Sequence, residues 1–167
     1  SSDVYLVKTD ALGNLTWART YGGAVDERGA GVQQTTDGGY IVCGWTTSFG
    51  AGDFDVYLIK VDPSGSVQWS WTYGGPGLDV MGRVVQTPDR GYLLVGQTAS
   101  FGSGVSDVYL IKTDSVGVLL WSRTYGGAGY EAGSSLEVTS DGGCVIAGRT
   151  SSYGAGGSDG YLLKVDP

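Results

Sequence analysis

Six side chains carry most of the chemistry this sequence could offer a partner: Trp45, Trp71, Arg149, Glu27, Asp79 and Glu131. A tryptophan beside an arginine or a carboxylate can stack on a sugar ring or grip a peptide. The same residues have a plainer use, as packing between structural elements with a guanidinium over an aromatic face. The three acids could hold Ca²⁺ through carboxylate oxygens. However, segments 24–28, 76–80 and 128–132 each supply few acidic ligands, and no D-x-D-x-D-G run is present. The other use of such an acid is to accept backbone N–H groups in its own loop. Paired carboxylates could hydrolyse glycosides without histidine, but no spacing here selects a pair. Histidine is absent. That removes imidazole bases, Ser-His-Asp and Cys-His constellations, and most zinc chemistry. The glycine-rich stretches end hairpins and do not lead a strand into a helix, so they are not phosphate loops, and no cofactor is expected.

The six residues sit in a chain that repeats itself. Asp3, Asp55, Asp107 and Asp159 each begin a near-copy of DVYLIK and stand 52 residues apart. Self-alignment at this period needs no gap. It pairs Trp17 with Trp69 and Trp121, Tyr21 with Tyr73 and Tyr125, and Gly44 with Gly96 and Gly148. Such fidelity means one supersecondary unit used repeatedly. The units are 3–54, 55–106 and 107–158, with a partial fourth at 159–167. Together they read as a single segment, 1–167.

Each unit reads as four short antiparallel strands. In the second, VYLIKVD, VQWSWTY, RVVQT and YLLVGQT are strand-like; PSGS, then GG followed by the irregular stretch PGLDVMG, and then PDRG separate them. No stretch has a sustained helical period. Four strands in about 40–50 residues is the signature of a propeller blade. The fold class is therefore all-β, with about three blades plus one extra strand. Residues 3–22 form the last two strands of a blade, 32–73 and 84–125 two complete blades, and 135–165 the first three strands of another. Asp10, Asp62 and Asp114 precede turn glycines, and Asp37, Asp89 and Asp141 sit in a second hairpin, as turn residues do. These repeated residues, with the Trp and Tyr of W-x-x-T-Y-G-G, are expected to be structural. Function belongs at positions that differ between units. One such register holds Trp45, Gln97 and Arg149, and another holds Arg19, Trp71 and Arg123.

The string TYGG-x-x-x-[DE], then D-x-G-Y, then G-x-T-x-S-F-G before DVYLIK-x-D-x-x-G, resembles the SBBP repeat. KTDALGNLTW at 8–17 is also similar to blades of PQQ-type propellers. The resemblance spans essentially the whole chain. It implies a seven-bladed propeller of secreted or surface proteins, and no catalytic residues to carry over. The chain departs from it by holding three units. A closed propeller needs at least about four blades. The count therefore predicts completion by other chains or by neighbouring blades, with a homo-oligomeric ring, six-bladed from two chains, as the favoured outcome. Excision from a longer propeller and head-to-tail growth into a fibre are the alternatives.

Composition bounds the rest. The chain has 31 glycines, a net charge of −7 and two cysteines, Cys43 and Cys144. The acidic balance argues against nucleic acid as partner. No apolar run approaches the roughly 20 residues of a membrane helix. The opening Ser1-Ser2-Asp3 shows no basic and apolar leader. Two thiols at different repeat positions make no metal site and are expected to be free and buried. The functional expectation is a non-enzymatic extracellular or surface propeller module for binding or assembly. A carbohydrate-binding or carbohydrate-acting propeller using rim Trp and carboxylates is the alternative.

Overall fold

The computed structural model describes residues 1–167. It contains thirteen strands and no helix. These are β1 (Val4–Thr9), β2 (Leu15–Tyr21), β3 (Glu27–Gln34), β4 (Tyr40–Thr46), β5 (Asp55–Val61), β6 (Val67–Tyr73), β7 (Asp79–Gln86), β8 (Tyr92–Thr98), β9 (Asp107–Thr113), β10 (Leu119–Tyr125), β11 (Glu131–Val138), β12 (Cys144–Thr150) and β13 (Asp159–Val165). They form four antiparallel sheets in chain order: β1–β2, β3 to β6, β7 to β10 and β11 to β13. None closes on itself. The division into two, four, four and three strands follows the phase expected from the repeat.

Local chemistry explains the hairpins. Asp10 Oδ1 accepts the N–H groups of Leu12 and Asn14, both at 2.9 Å. Asp62 and Asp114 do the same in their own turns. Asp37 Oδ1 accepts the Gly39 N–H at 3.0 Å, and Lys60 Nζ lies 2.9 Å from its Oδ2. Lys112 with Asp89, and Lys164 with Asp141, repeat the ion pair at 2.9 Å. The lysine that ends the second, third and fourth DVYLIK copies therefore clips the hairpin of the two preceding strands, whereas Lys8, on the first strand, lies over the Tyr40 ring. The Thr35 hydroxyl and then Lys60 hold Asp37 down at about 2, against burial, which opposes ionisation.

The core lies between the sheets. Ile41, Cys43, Val56 and Leu58 of one complete sheet pack against Met81, Val84, Leu94 and Ile111 of the next. Val95, Val108 and Leu110 meet Leu136 and Ile146 in the same way. Val4 and Tyr21 meet Val42, Tyr57 and Ile59 at the first junction. The repeated tryptophan crosses the same gap: Trp17 meets Tyr40 edge-on at 5.9 Å, and Trp69 meets Tyr92 at 5.8 Å. Middle strands are buried on both faces, so they read as continuous apolar runs. Cys43 and Cys144 are free and buried, and burial pushes the Cys43 thiol up to about 12.

Candidate functional site

Glu27, Asp79 and Glu131 open the first strands β3, β7 and β11, and all three are 0% exposed. Each is enclosed by donors that the repeat motif supplies. The second glycine of T-Y-G-G donates its N–H to the acid four residues on, at 2.7 Å in every copy: Gly23 to Glu27, Gly75 to Asp79 and Gly127 to Glu131. The threonine of G-x-T donates its hydroxyl from the paired second strand, Thr46 to Glu27, Thr98 to Asp79 and Thr150 to Glu131. Ser151 and Ser152 add backbone N–H groups to Glu131 at 3.2 and 3.0 Å. Burial opposes ionisation of Glu131. The Gly127, Thr150 and Ser152 donors outweigh it and hold the carboxyl at about 2. Glu27 is lowered by the same balance. The expectation of these acids as partner-binding residues is corrected here: their lone pairs are turned inward and consumed, so they pin loops.

A second set of acids joins them. Asp55 and Asp107 open β5 and β9 and are 1% and 2% exposed. A methyl group built on Gly126 would meet the carboxylates of both Asp107 and Glu131, and one on Gly74 those of Asp55 and Asp79. Burial, then the negative charge of Glu131, pushes Asp107 up, against a hydrogen bond from the Ser103 N–H. These are the paired carboxylates that sequence spacing does not select, because they lie on different sheets. They are sealed from solvent, so they cannot act as acid and base on a substrate.

The variable register behaves differently. Trp45, Gln97 and Arg149 occupy one position of β4, β8 and β12, and all three line a single cavity of about 480 Å³. Ala30, Gly82 and Ser134 line it too. Each of these is the extra residue of a β-bulge in a first strand, between Gly29 and Gly31, Met81 and Arg83, and Gly133 and Ser135. Bulges re-aim neighbouring side chains and recur beside functional sites. Arg28 lies over Trp45 at 5.4 Å, and Arg149 over Tyr130 at 4.8 Å. Arg149 Nη2 donates to Tyr130 Oη at 3.1 Å, and the Tyr130 hydroxyl donates to Gln97 Oε1. No carboxylate lines the cavity, and none of the six arginines forms an ion pair.

A scan against protein-family models finds no match, and a search of curated proteins finds none either.

Trp71 stands apart from this cavity. The residue is 44% exposed, and its Nε1 donates to Val116 O at 2.9 Å across to the next sheet. Of the six candidate residues, Trp45 and Arg149 alone share a solvent-accessible site. Tyr130 and the bulge residues were not legible as part of it. Tyr130 falls in a variable loop, and the bulges Gly29-Ala30-Gly31, Met81-Gly82-Arg83 and Gly133-Ser134-Ser135 share no common residue pattern.

Proposed function

We propose that the chain is a non-enzymatic β-propeller segment of the extracellular or surface kind, used for binding or assembly and completed by association with another chain. One observation carries this. The same motif is buried on both faces in the middle copies and bare on one face at each end. Tyr57 and Tyr109 are 8% and 3% exposed, but Tyr5 is 66%. Leu58 and Leu110 are 0% exposed, but Leu162 is 76%. An apolar face built for a neighbour and left open is an association surface. The SBBP-like motifs and the four-strand repeat support the propeller reading. Three blades per chain reach the usual range of four to eight when two chains combine. Light scattering of the chain is expected to give twice 17.3 kDa. A cooperatively melting monomer at every accessible concentration would refute completion between chains.

The convergence of Trp45, Gln97 and Arg149 supports a second reading, a glycan-binding cavity. An aromatic face, an amide and a guanidinium without an acid partner suit a carboxylate-bearing sugar. Trp45→Ala and Arg149→Ala are each expected to weaken uronate-oligosaccharide binding by about tenfold, the loss of one good contact. Trp71→Ala is the silent control. Titration calorimetry in which the Trp45 variant binds like the parent sinks this reading.

A further inference from the structure

We propose that a second copy of this chain completes the sheet of β11 and β12, its β1–β2 hairpin taking the place of β13. The inference rests on the propeller reading and adds which strand moves.

β1 and β13 are the same strand of the repeat. Three 52-residue periods separate Asp3 from Asp159, Tyr5 from Tyr161 and Lys8 from Lys164. They differ in what surrounds them. β1 has β2 on one side and a bare edge on the other. β13 lies against β12 and has no fourth strand. β12 pairs with β13 in the register that β4 uses for β5, Thr150 opposite Asp159 and Cys144 opposite Val165. Exchange would set Thr150 opposite Asp3 and Cys144 opposite Thr9 of the second copy.

The unfilled contacts match across this junction. Tyr21 Oη donates to Gly65 O at 2.7 Å, and Tyr73 Oη to Gly117 O at 2.5 Å, each reaching the turn of the next sheet. Tyr125 is the third such tyrosine, and its hydroxyl makes no such bond. Gly65 is covered by Trp17 and Arg19, and Gly117 by Trp69 and Trp71. Gly13 is the third such turn glycine and has nothing within 4 Å of an added methyl. Docking the hairpin brings the unpartnered tyrosine to the uncovered turn. It also lays Tyr5 and Val7, 66% and 43% exposed, where Tyr161 and Leu163 now pack on the sheet of β7 to β10.

β13 is the strand that yields. Asp55 Oδ2 accepts the N–H groups of Ala51 and Gly52, whereas Asp159 Oδ2 is enclosed without any partner. β1 is tied to its own neighbour instead. Glu27 donates its N–H to Ser2 O, and the Ser2 N–H binds Asp26 Oδ1, both at 2.7 Å. Val4 is 4% exposed. Each copy then gives one hairpin and accepts one, through two identical junctions about a twofold axis.

Cysteine cross-linking of the full chain tests this. Directly opposed strand residues have Cα atoms about 4.5–5.5 Å apart, within disulfide reach. In a Cys43→Ser background, Thr9→Cys is expected to give a covalent dimer on oxidation, linked from position 9 to Cys144. Leu162→Cys with Arg19→Cys, in a Cys43→Ser/Cys144→Ser background, is expected to give none. A 162-to-19 link would mean that β2 adds beside an undisplaced β13, which overturns the exchange and leaves the two-chain ring standing. A light-scattering dimer with neither link overturns the exchange alone. A folded monomer overturns both it and the reading beneath it.

Discussion

Glu131→Gln lowers the free energy of unfolding at pH 7 by about 3 kcal/mol, and the loss disappears in acid. The carboxylate accepts from Gly127 N, Ser151 N, Ser152 N and the Thr150 hydroxyl while fully buried. An amide keeps one acceptor oxygen and turns an NH₂ toward N–H donors. At least one buried donor is then unsatisfied, which costs about 1–3 kcal/mol and more where a charge was accepted. The titration agrees in size. Glu131 sits at about 2 in the folded chain, against about 4.3 unfolded, and each unit is worth about 1.4 kcal/mol. A depressed carboxyl contributes stability that is fully present above the unfolded value and lost as pH falls through the folded one. The parent chain should therefore lose stability from about pH 5 down to about pH 2, and the Gln variant should follow a flatter curve that meets it there. Asp107 is raised and acts with the opposite sign, so the net slope is less than the depressed acids alone would give. Urea unfolding followed by tryptophan fluorescence at several pH values checks this. A constant gap between the two curves would mean that Glu131 is not held by its charge.

The role of that acid illustrates what was legible in the sequence. The strands were, because their apolar runs are bounded by Asp-Gly turns whose geometry is local: Asp10 binds its own backbone two and four residues on. The strand count followed from period alone. The acids were not, because the hydroxyl donors to Glu27 and Glu131 lie 19 residues away on a paired strand. From sequence, an invariant acid in a glycine loop serves a cation or a set of N–H groups equally well. Convergence of Trp45, Gln97 and Arg149 was half legible. Their common register was visible, but their sharing one cavity depends on how the first strands meet. A methyl built on Gly31 would lie 3.0 Å from Gly82 O, so the backbones of β3 and β7 nearly touch. Trp71 lies outside that cavity for the same reason: it sits on the outer strand β6, and its ring covers Gly117 of the next sheet.

Gly96→Ala is expected to cost more than Glu131→Gln, a loss of about 4 kcal/mol. A side chain there would overlap the carbonyl oxygen of Val80, with Met81 Cα 2.7 Å away. Both are backbone atoms of the paired strand, so no rotamer change relieves the clash. Overpacking usually costs about 1–3 kcal/mol where side chains can shift, and more where the backbone must. Gly44 and Gly148 meet Arg28 O and Ala132 O in the same way. The close approach sits where the first strand bulges, between Met81 and Arg83. It is also one residue before Gln97, so each invariant glycine seats the variable residue that follows it in the cavity. A repeat can then change Trp45 to Gln97 to Arg149 freely, because the glycine and the bulge fix position without specifying chemistry. Hydrogen exchange should reveal the defect as lost protection at the β7–β8 pairing before the rest of the chain. A Gly96→Ala chain that melts within a few degrees of the parent would separate the bulge from the site and leave the cavity without its positioning element.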